Sequence, residues 1–493
     1  MQFLKIHPED QVIVALEALA AGTVLSVDGK DITLTEAITP GHKIAIAPIA
    51  AGAFVTKYGS SIGIATKDIA PGQAVHTHNL KTGLDGLLEY SYQPKLNPHT
   101  PQTPGTFMGY RRPDGKVGIR NEVWIIPTVG CVNTNAQHMA KQASKRKPEQ
   151  VEGVYAFPHP YGCSQMGGDL ANTQKALAGL INHPNAAGVL VLGLGCENND
   201  VKDMQAILGD HDPKRVKFLV CQDVEDEYET ASTLLDELLD YASGFSRQEI
   251  PMSELVVGLK CGGSDGFSGI TANPLVGAFS DRLLAQGGSV LLTEVPEMFG
   301  AETILMNRCE SPELFEQTVS LINDFKQYFI DNKQVIYENP SPGNKDGGIS
   351  TLEDKSLGCI QKGGTANVSA VLGYAEPVAT KGLNLLSGPG NDLVSISNMT
   401  ASGAHLILFT TGRGTPFGAP VPTVKVSSNT ALFAKKPQWM DFDAGPLLTG
   451  IPMDKLSGEL YEYVRALASG EIFANNEIYN AREFTMFKTG VTL

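Results

Sequence analysis

Short apolar runs that each lead into a polar, glycine-containing loop are the feature that most limits how this chain can fold. From about residue 106 onward, these runs alternate with stretches of helical periodicity. Such alternation predicts α/β layers over mostly parallel sheets. Ligands of such sheets bind at the carboxyl ends of the strands, so the loops after the apolar runs are the expected functional surface.

Four of these loops carry a cysteine, namely Cys131, Cys163, Cys196 and Cys261. For any one loop, a structural interpretation is favoured, in which the glycines serve turns and the cysteine packs as a small apolar residue. Their recurrence in one chain favours a site assembled from several loops.

The chain divides into four parts by composition and pattern. We predict a small, mostly β module over residues 1–92, a proline-rich linker over 93–105, an α/β domain over 106–250 and a C-terminal α/β domain over 251–493. One helix is expected in the β module, over residues 10–21. In the later domains the periodicity predicts helices over residues 133–146, 170–182, 230–242, 276–286 and 312–329, the last with Ser311 as its N-cap.

The charge balance excludes some classes of partner. The formal net charge is −15, and an acidic chain without a basic stripe is not expected to bind nucleic acid or an anionic membrane. No run approaches the roughly 18–20 apolar residues of a membrane span, and the N-terminus lacks the order of a signal peptide. We therefore expect a cytoplasmic protein. Its 7 cysteines include no CxxC pair, which argues against a disulfide framework, a zinc ribbon or a ferredoxin-type cluster and leaves free thiols, some of them possible metal ligands.

Several polar groups have both a functional and a structural interpretation. The run 262–269 can cradle an anion with its backbone N–H groups or can form a plain turn. Residues 341–348 form either a loop over a polyhydroxylated substrate or an ordinary surface loop. Arg413, which lies between two glycines, can grip a carboxylate or form a structural salt bridge.

Histidines add a second group of candidates. His76 and His78 alternate after a β-like run, which places both on one face of a strand, as metal ligands, an acid–base pair or simply surface residues. His159 and Glu197 are further candidates for a ligand or a base.

The sequence resembles the altronate/galactarate dehydratase family over essentially its whole length. The resemblance rests on motifs at residues 57–59, 76–79, 118–122, 161–165, 193–197, 261–265, 339–345 and 411–416. It implies that residues 1–92 form a SAF (β-clip) domain followed by two α/β domains with mostly parallel sheets. Cys359 and the His-x-His pair place the chain on the altronate side of the family.

This resemblance implies a hydro-lyase that removes water from an aldonate across C2 and C3, with D-altronate giving 2-keto-3-deoxy-D-gluconate in hexuronate (galacturonate) catabolism. It also implies Fe²⁺ or Mn²⁺ as cofactor. We assign acid–base roles to His76, His78, His159 and Lys345. Substrate contacts are assigned to Gly263, Ser264, Asp265, Asn344, Lys345, Arg413 and Thr415. The expected metal ligands, surrounding one site, are His76, His78, Cys131, Cys163, Cys196, Cys261 and Glu197.

Alternatives remain open at this point. Galactarate dehydratase, or another sugar-acid dehydratase of the same family, is the second interpretation within enzymes. A non-catalytic sugar-acid binding protein would share the loops but would not need a thiol-rich site. We expect a small-molecule sugar-acid substrate and a homodimer, the commonest symmetric assembly.

Overall fold

The computed structural model describes residues 2–98 and 100–492. Strands β1–β9 form the N-terminal module: Phe3–Leu4, Val12–Ala15, Val24–Val27, Lys30–Thr33, Lys43–Ala45, Phe54–Lys57, Ser60–Ala65, Ala74–Val75 and Leu80–Lys81. Strands β10–β16 follow: Thr106–Arg111, Val117–Gly118, Glu122–Pro127, Gly153–Ala156, Ala186–Gly193, Val216–Val220 and Gln248–Pro251. Strands β17–β23 complete the chain: Val256–Cys261, Ser289–Leu292, Val368–Leu372, Gly382–Leu386, Leu406–Thr411, Thr423–Ser427 and Phe442–Asp443.

The helices lie between the strands of the two larger sheets or, for the last two, after the final strand. Helices α1–α4 are Asn133–Ser144, Gly167–Ile181, Val201–Leu208 and Glu227–Ser243. Helices α5–α13 are Ala272–Ala285, Glu302–Met306, Pro312–Asp331, Pro342–Asp346, Leu352–Cys359, Asp392–Ala401, Thr430–Lys435, Met453–Ala468 and Asn475–Ile478. In the part of the chain that is described, no helix is both long and apolar enough to cross a membrane.

The sheets confirm the predicted fold class. The N-terminal module contains small antiparallel sheets, among them β1-β2-β5-β8. The middle region has a parallel sheet in the order β13-β12-β14-β15, and the C-terminal region has a parallel sheet in the order β19-β20-β18-β17-β21-β22-β23. Every strand of these two sheets is paired in parallel with its neighbours.

The helix predictions for the two larger domains are confirmed, and Ser311 caps α7 by accepting a hydrogen bond from the N–H of Leu314 at 3.2 Å. The helix predicted over residues 10–21 is wrong. Val12–Ala15 form β2 there, buried along the whole strand. The β-branched run Val12, Ile13 and Val14 suits a strand buried on both faces, and packing in the small module overrides the local periodicity.

Buried ion pairs join the middle and C-terminal regions. Arg120 pairs with Glu477 at 2.7 Å, and Arg482 pairs with Glu122 at 3.0 Å. These four side chains are almost completely buried. The motif at residues 118–122 therefore holds two layers of the structure together.

The proline-rich segment after the β module follows the surface of the C-terminal region. The N–H of Lys95 donates to the carbonyl of Asn307, and the N–H of Gln102 donates to the carbonyl of Ala285, both at 2.7 Å. The segment thus runs as an extended strap with its own backbone partners.

Candidate active site

Each parallel sheet has a point where the strand order reverses. In the C-terminal sheet, the chain proceeds from β17 to β18 on one side and later places β21 and β22 on the other. Cys261 ends β17, and residues 411–415 follow β21, so two predicted motifs flank this reversal. Such a switch point at the carboxyl ends of parallel strands is where α/β sheets bind ligands.

A buried group of thiols, lysines and carboxylates lies at this point, and we call it the thiol–lysine cluster. The Sγ atoms of Cys261 and Cys359 are 3.2 Å apart, and each lies 3.2 Å from Oε2 of Glu297. Lys362 donates to the Sγ of Cys261 at 3.0 Å. The cluster consists of Cys261, Cys359, Glu294, Glu297, Lys260, Lys355 and Lys362, all of them buried.

Opposite charges are matched inside this cluster. Lys355 pairs with Glu297 at 2.9 Å, and Lys260 contacts both Glu294 and, at 2.8 Å, the partly exposed Asp392. Lys362 lies 3.4 Å from Glu294. Burying a charge without such a partner is costly. The three ammonium groups and three carboxylates therefore stabilise one another's charged state.

The charge states follow from these contacts. Burial opposes the charge on Lys260, but Asp392 and Glu294 outweigh it and raise the pKa of this lysine well above its usual value. Burial likewise opposes ionisation of Glu297, yet Lys355 holds the pKa of its carboxyl well below the usual range. The hydrogen bond with Cys261 raises the pKa of the Cys359 thiol.

The predicted substrate loop 262–266 lies beside the thiol–lysine cluster. Its Gly263 has a φ of +62°, a conformation that favours glycine. Within the described residues, the buried Oγ of Ser264 has no hydrogen-bond partner. An unsatisfied buried hydroxyl is costly, so Ser264 is suited to contact a bound ligand.

Asp265 and Asn344 hold the loops in place. The carboxylate of Asp265 accepts hydrogen bonds from the N–H of Ser268 at 2.9 Å and from the Oγ of Ser428 at 2.9 Å. The Nδ2 of Asn344 donates to the carbonyl of Ser264 at 2.8 Å. These hydrogen bonds show that both residues position the loop, and their substrate contacts stay a prediction.

Arg413, Lys345 and Thr415 lie at the rim of the same site. Arg413 is exposed, and its Nε lies 3.7 Å from a Cβ built on Gly343, beside the segment that carries Lys345. Over residues 2–98 and 100–492, neither Arg413 nor Lys345 is in an ion pair. The geometry favours the carboxylate clamp over the structural salt bridge for Arg413. Thr415 is half-buried in the same loop.

Helix α9 connects this site to the β module. Asp354 on α9 pairs with Lys43 at 2.8 Å and with Lys57 at 2.9 Å, and all three side chains are buried. A Cβ on Gly266 would lie 2.1 Å from the carbonyl oxygen of Gly41, so the two loops are in direct backbone contact. The β module therefore forms one wall next to the candidate site.

His76 and His78 lie in the turn between β8 and β9, so their predicted placement on one face of a strand is wrong. A short turn replaces the strand because Asn79 accepts from the N–H of His76 at 2.9 Å. His76 is half-buried, its Nδ1 lies 2.8 Å from the Oγ of Ser350, and burial, Lys43 and His42 lower its pKa to about 4. His78 is exposed.

His42 is a neighbour of His76 that no sequence motif pointed to. Its ring centroid lies 5.2 Å from that of His76, with the two planes at 68°. Burial lowers the pKa of His42. The β module thus presents two half-buried, neutral imidazoles to the C-terminal loops.

The other predicted ligands lie at the carboxyl edge of the middle sheet. Cys131, Cys163 and Cys196 are exposed there, after β12, β13 and β14 respectively. Glu197 accepts from the Oγ1 of Thr128 and the N–H of Gly195, both at 2.6 Å; burial raises its pKa, but these hydrogen bonds outweigh burial and lower it. Its oxygens are therefore already occupied.

His159 has a structural environment. Its Nε2 lies 2.8 Å from the carbonyl of Pro127, its Nδ1 accepts from the N–H of Tyr161, and burial lowers its pKa to about 4. Both ring nitrogens are used and the ring is buried, which argues against the predicted acid–base role.

The expectation of one site surrounded by all the predicted ligands is not met. Among the described residues, only Cys261, Glu297 and Cys359 bring three candidate ligand atoms within 4.8 Å of one another. The predicted ligands otherwise separate into the histidine turn of the β module and the thiol edge of the middle sheet.

Six members of the thiol–lysine cluster were not predicted as site residues: Lys260, Glu294, Glu297, Lys355, Cys359 and Lys362. Glu294 and Glu297 directly follow β18, at the edge where strand-end loops were already expected to be functional. Lys355 and Lys362 had no such signal. Helix α9 has no apolar stripe because it is buried on every side.

The donor set of Cys261, Cys359 and Glu297 fits a divalent transition metal. Two sulfur atoms and one carboxylate oxygen converge there, and thiolate ligands favour iron or zinc over magnesium. Since the neighbouring ammonium and carboxylate groups balance, two thiolates would match the charge of a divalent ion.

Fold and site together define a multidomain α/β protein with a charged, thiol-containing pocket at a strand switch point. Three family models match: the altronate/galactarate dehydratase SAF domain at residues 1–83, the D-galactarate dehydratase/altronate hydrolase second domain at 109–243 and the D-galactarate/altronate dehydratase C-terminal domain at 252–492. The chain belongs to the D-galactarate/altronate dehydratase family, a family of hydro-lyases.

Relatives with known names align over nearly the full length. The chain is 52% identical to an altronate dehydratase of Bacillus subtilis, covering 100% of this chain and 99% of the relative. It is 51% identical to an altronate dehydratase of Escherichia coli, covering 100% of both. It is 32% identical to the galactarate dehydratase (L-threo-forming) of Escherichia coli, covering 95% of this chain and 93% of the relative.

Proposed function

We propose that this chain catalyses the metal-dependent dehydration of D-altronate to 2-keto-3-deoxy-D-gluconate, in hexuronate catabolism. The observation that carries the substrate assignment is the 52% and 51% identity, over the full length, to two proteins named altronate dehydratase, against 32% to a galactarate dehydratase.

Removal of the C2 proton is the difficult step of such a reaction. That proton lies beside a carboxylate, so its loss builds a doubly negative enediolate that needs nearby positive charge. The buried ammonium groups of Lys260, Lys355 and Lys362 supply positive charge at the switch point. Arg413 and Lys345 at the rim are suited to hold the substrate carboxylate.

The C3 hydroxyl must be protonated as it leaves. His76, half-buried and neutral beside Ser350, is the group on the β-module wall suited to take or return a proton. With the metal assigned to the thiol–lysine cluster, His78 keeps its predicted role as an acid–base partner. We expect His78→Ala to abolish turnover without unfolding the chain, and an active His78→Ala variant would remove that role.

We propose Fe²⁺ or Mn²⁺ as the cofactor, held by Cys261, Cys359 and Glu297. A divalent ion there supplies Lewis-acid stabilisation of developing oxyanion charge. The ligand atoms come from β17, the segment after β18 and α9, so the site is held by elements with buried neighbours.

The deciding experiment starts from chelated protein kept without oxygen. Fe²⁺, Mn²⁺ or Mg²⁺ is added back, D-altronate or galactarate is supplied, and 2-keto acid formation is measured. Turnover of D-altronate restored by Fe²⁺ or Mn²⁺ supports the reaction, the substrate and the cofactor together. Turnover of galactarate alone would overturn the substrate assignment.

Cys309 provides a matched control for the metal site. Its buried Sγ lies 3.2 Å from the Oγ1 of Thr318, outside the thiol–lysine cluster. Cys359→Ser should lose the metal response, whereas Cys309→Ser should keep it. Equal behaviour of the two variants would remove Cys359 from the proposed ligand set.

We propose in addition that the protein acts as a cytoplasmic homodimer. Closed dimers are the commonest assembly of such enzymes. Sedimentation at micromolar concentration tests the assembly, and a monomer would refute it.

A further inference from the structure

The carboxyl edge of the middle sheet carries a second concentration of thiols. Cys131, Cys163 and Cys196 follow β12, β13 and β14, which are adjacent in the sheet order β13-β12-β14. All three thiols are exposed and none is in a disulfide bond. Three neighbouring parallel strands therefore each deliver one thiol to the same edge.

Backbone hydrogen bonds hold these three loops against one another. The N–H of Gly130 donates to the carbonyl of Tyr161 at 2.8 Å, and the N–H of Asn199 donates to the carbonyl of Gly162 at 2.9 Å. The N–H of Ser164 donates to the Oδ1 of Asn198 at 2.8 Å. Because adjacent strands are about 5 Å apart, these contacts place the three cysteine-bearing loops side by side at one edge of the sheet.

The local field at this edge favours sulfur anions. Helix α1 begins two residues after Cys131, α2 begins at Gly167 after Cys163, and α3 begins at Val201 after Cys196. The N-terminus of a helix carries partial positive charge and free backbone N–H groups, which stabilise thiolates and bound anions. The same arrangement occurs on all three loops.

A buried polar atom at the junction of these loops lacks a partner. The side-chain Nδ2 of Asn199 donates to the carbonyl of Thr128 at 2.9 Å, which fixes the residue between the first and third loops. Its Oδ1 is buried without a hydrogen-bond partner in the part of the chain that the structure describes. Such an atom is satisfied when a ligand, or water held by a ligand, occupies the site.

The fourth cysteine of this edge differs from the other three. Cys221 follows β15 and is half-buried, and burial, with Glu227 and Glu197 nearby, raises the pKa of its thiol to about 11. It therefore stays protonated near neutral pH, whereas the other three thiols are accessible to a metal.

We propose that Cys131, Cys163 and Cys196 ligate an iron–sulfur cluster, leaving one iron open to a ligand that is not a protein side chain. Cysteine thiolates are the usual ligands of such clusters. The missing CxxC motif, which spoke against a ferredoxin-type cluster, does not conflict with this assignment. Three neighbouring strand ends supply the ligands in space, so no local sequence motif is required.

This site is separate from the metal site proposed for Cys261, Cys359 and Glu297. The cluster proposal rests on the middle sheet alone and does not depend on the identity of the substrate. Failure of the altronate assay would therefore leave it standing, and loss of the cluster would leave the substrate assignment open.

The test is the composition of protein produced with ample iron and purified without oxygen. We expect about four acid-labile sulfide ions per chain and about four iron ions, or about five when the separate Cys261 site also holds iron, with a broad visible absorption band from sulfur-to-iron charge transfer. Each of Cys131→Ser, Cys163→Ser and Cys196→Ser should retain less than about a tenth of the sulfide and of the visible band. Circular dichroism and thermal melting confirm that the variants are folded.

Two further variants make the result decisive. Cys221→Ser should keep the sulfide and the band, and Cys261→Ser should keep them as well, because neither thiol belongs to the proposed ligand set. Iron bound without sulfide would overturn the proposal in favour of a mononuclear site. Sulfide that persists in the triple serine variant, or that is lost in Cys221→Ser, would overturn the three-thiol assignment.

Discussion

Two parallel sheets in this protein place a cysteine after the strand at which the strand order reverses, and the two thiols meet opposite surroundings. Cys131 follows β12 of the middle sheet and is exposed. Cys261 ends β17 of the C-terminal sheet and is buried beside three lysines and three carboxylates. The local pattern of apolar run, glycine and cysteine is the same in both.

What differs is the layer that covers each edge. Helix α9 lies over the C-terminal edge and supplies Lys355 and Cys359, and the β module packs against α9 through Asp354. The middle edge has no such cover on Cys131, Cys163 and Cys196 within residues 2–98 and 100–492. One strand-end pattern therefore gives a charged internal pocket in one domain and an open thiol surface in the other.

Thiol labelling gives the largest expected contrast between the two edges. In chelated protein, Cys131, Cys163 and Cys196 should react with iodoacetamide roughly a thousandfold faster than Cys261 and Cys359, because a buried thiol reacts only through local or global opening. Mass spectrometry after timed quenching measures each site. Comparable rates at both edges would contradict the buried pocket. Labelling in denaturant serves as the control, since all sites should then react alike.

Removing a buried lysine at the C-terminal edge should cost more stability than removing a partly exposed lysine of the middle sheet. Lys260→Met removes the buried cation that Glu294 and Asp392 share, and we expect a loss of about 3–5 kcal/mol in the free energy of unfolding, together with loss of turnover. Denaturant unfolding measures it. Lys217→Met, which removes the more exposed pair with Glu237 on the middle sheet, should cost less than about 1 kcal/mol. A cost for Lys260→Met no larger than that of this control would argue against the interdependence of the cluster charges.

The rim arginine should act on catalysis without acting on stability. Arg413→Gln removes an exposed guanidinium for which the described structure shows no ion pair, so we expect a fall of about 10–100-fold in kcat/KM and an unchanged melting temperature. Arg465→Gln, which breaks the surface pair with Glu462, is the matched control and should leave both unchanged. If Arg413→Gln lowers the melting temperature instead, Arg413 has a structural role.

The buried His183, whose ring contacts the carbonyl of Ala404, should make the free energy of unfolding depend on pH. His183 is buried beside Trp124, and burial chiefly, with His405 nearby, lowers its pKa to about 3. Because this folded-state pKa lies below the unfolded value of about 6.5, the stabilising contribution is present above pH ~6.5 and is lost as pH falls towards 3.

In the acid range, His183→Asn should reduce the slope of unfolding free energy against pH by up to about 1.4 kcal/mol per pH unit. Chemical denaturation at a series of pH values between about 4.5 and 6.5 measures the slope. The variant His211→Asn, at a partly exposed position, is the control expected to match the parent protein. A slope that His183→Asn leaves unchanged would show that His183 does not titrate in this way.

Residues at strand ends were predictable, whereas residues on covering elements were not. The helix over 312–329 and its N-cap followed from spacing and from Ser311, and both are confirmed. Strands with a clear apolar pattern end at or just before Cys261, Ser264 and Arg413. The expectation that functional groups gather at strand ends was therefore enough to select these residues. Lys355 and Lys362 sit on and after a helix whose polar composition resembles an exposed surface, although every residue of α9 is buried.

The order of residues along the chain is enough to predict the alternation of strands and helices, the parallel sheets and the strand ends at which functional groups gather. These follow from interactions between near neighbours: periodic burial, capping and turn geometry. Three contacts could be known from the folded molecule alone: Cys261 meets Cys359 at 3.2 Å, Asp354 bridges two lysines of the β module, and His76 lies in a turn against Ser350. Those contacts join residues far apart in the chain, and their energies depend on burial and on charge matching that appear only when separate elements pack together.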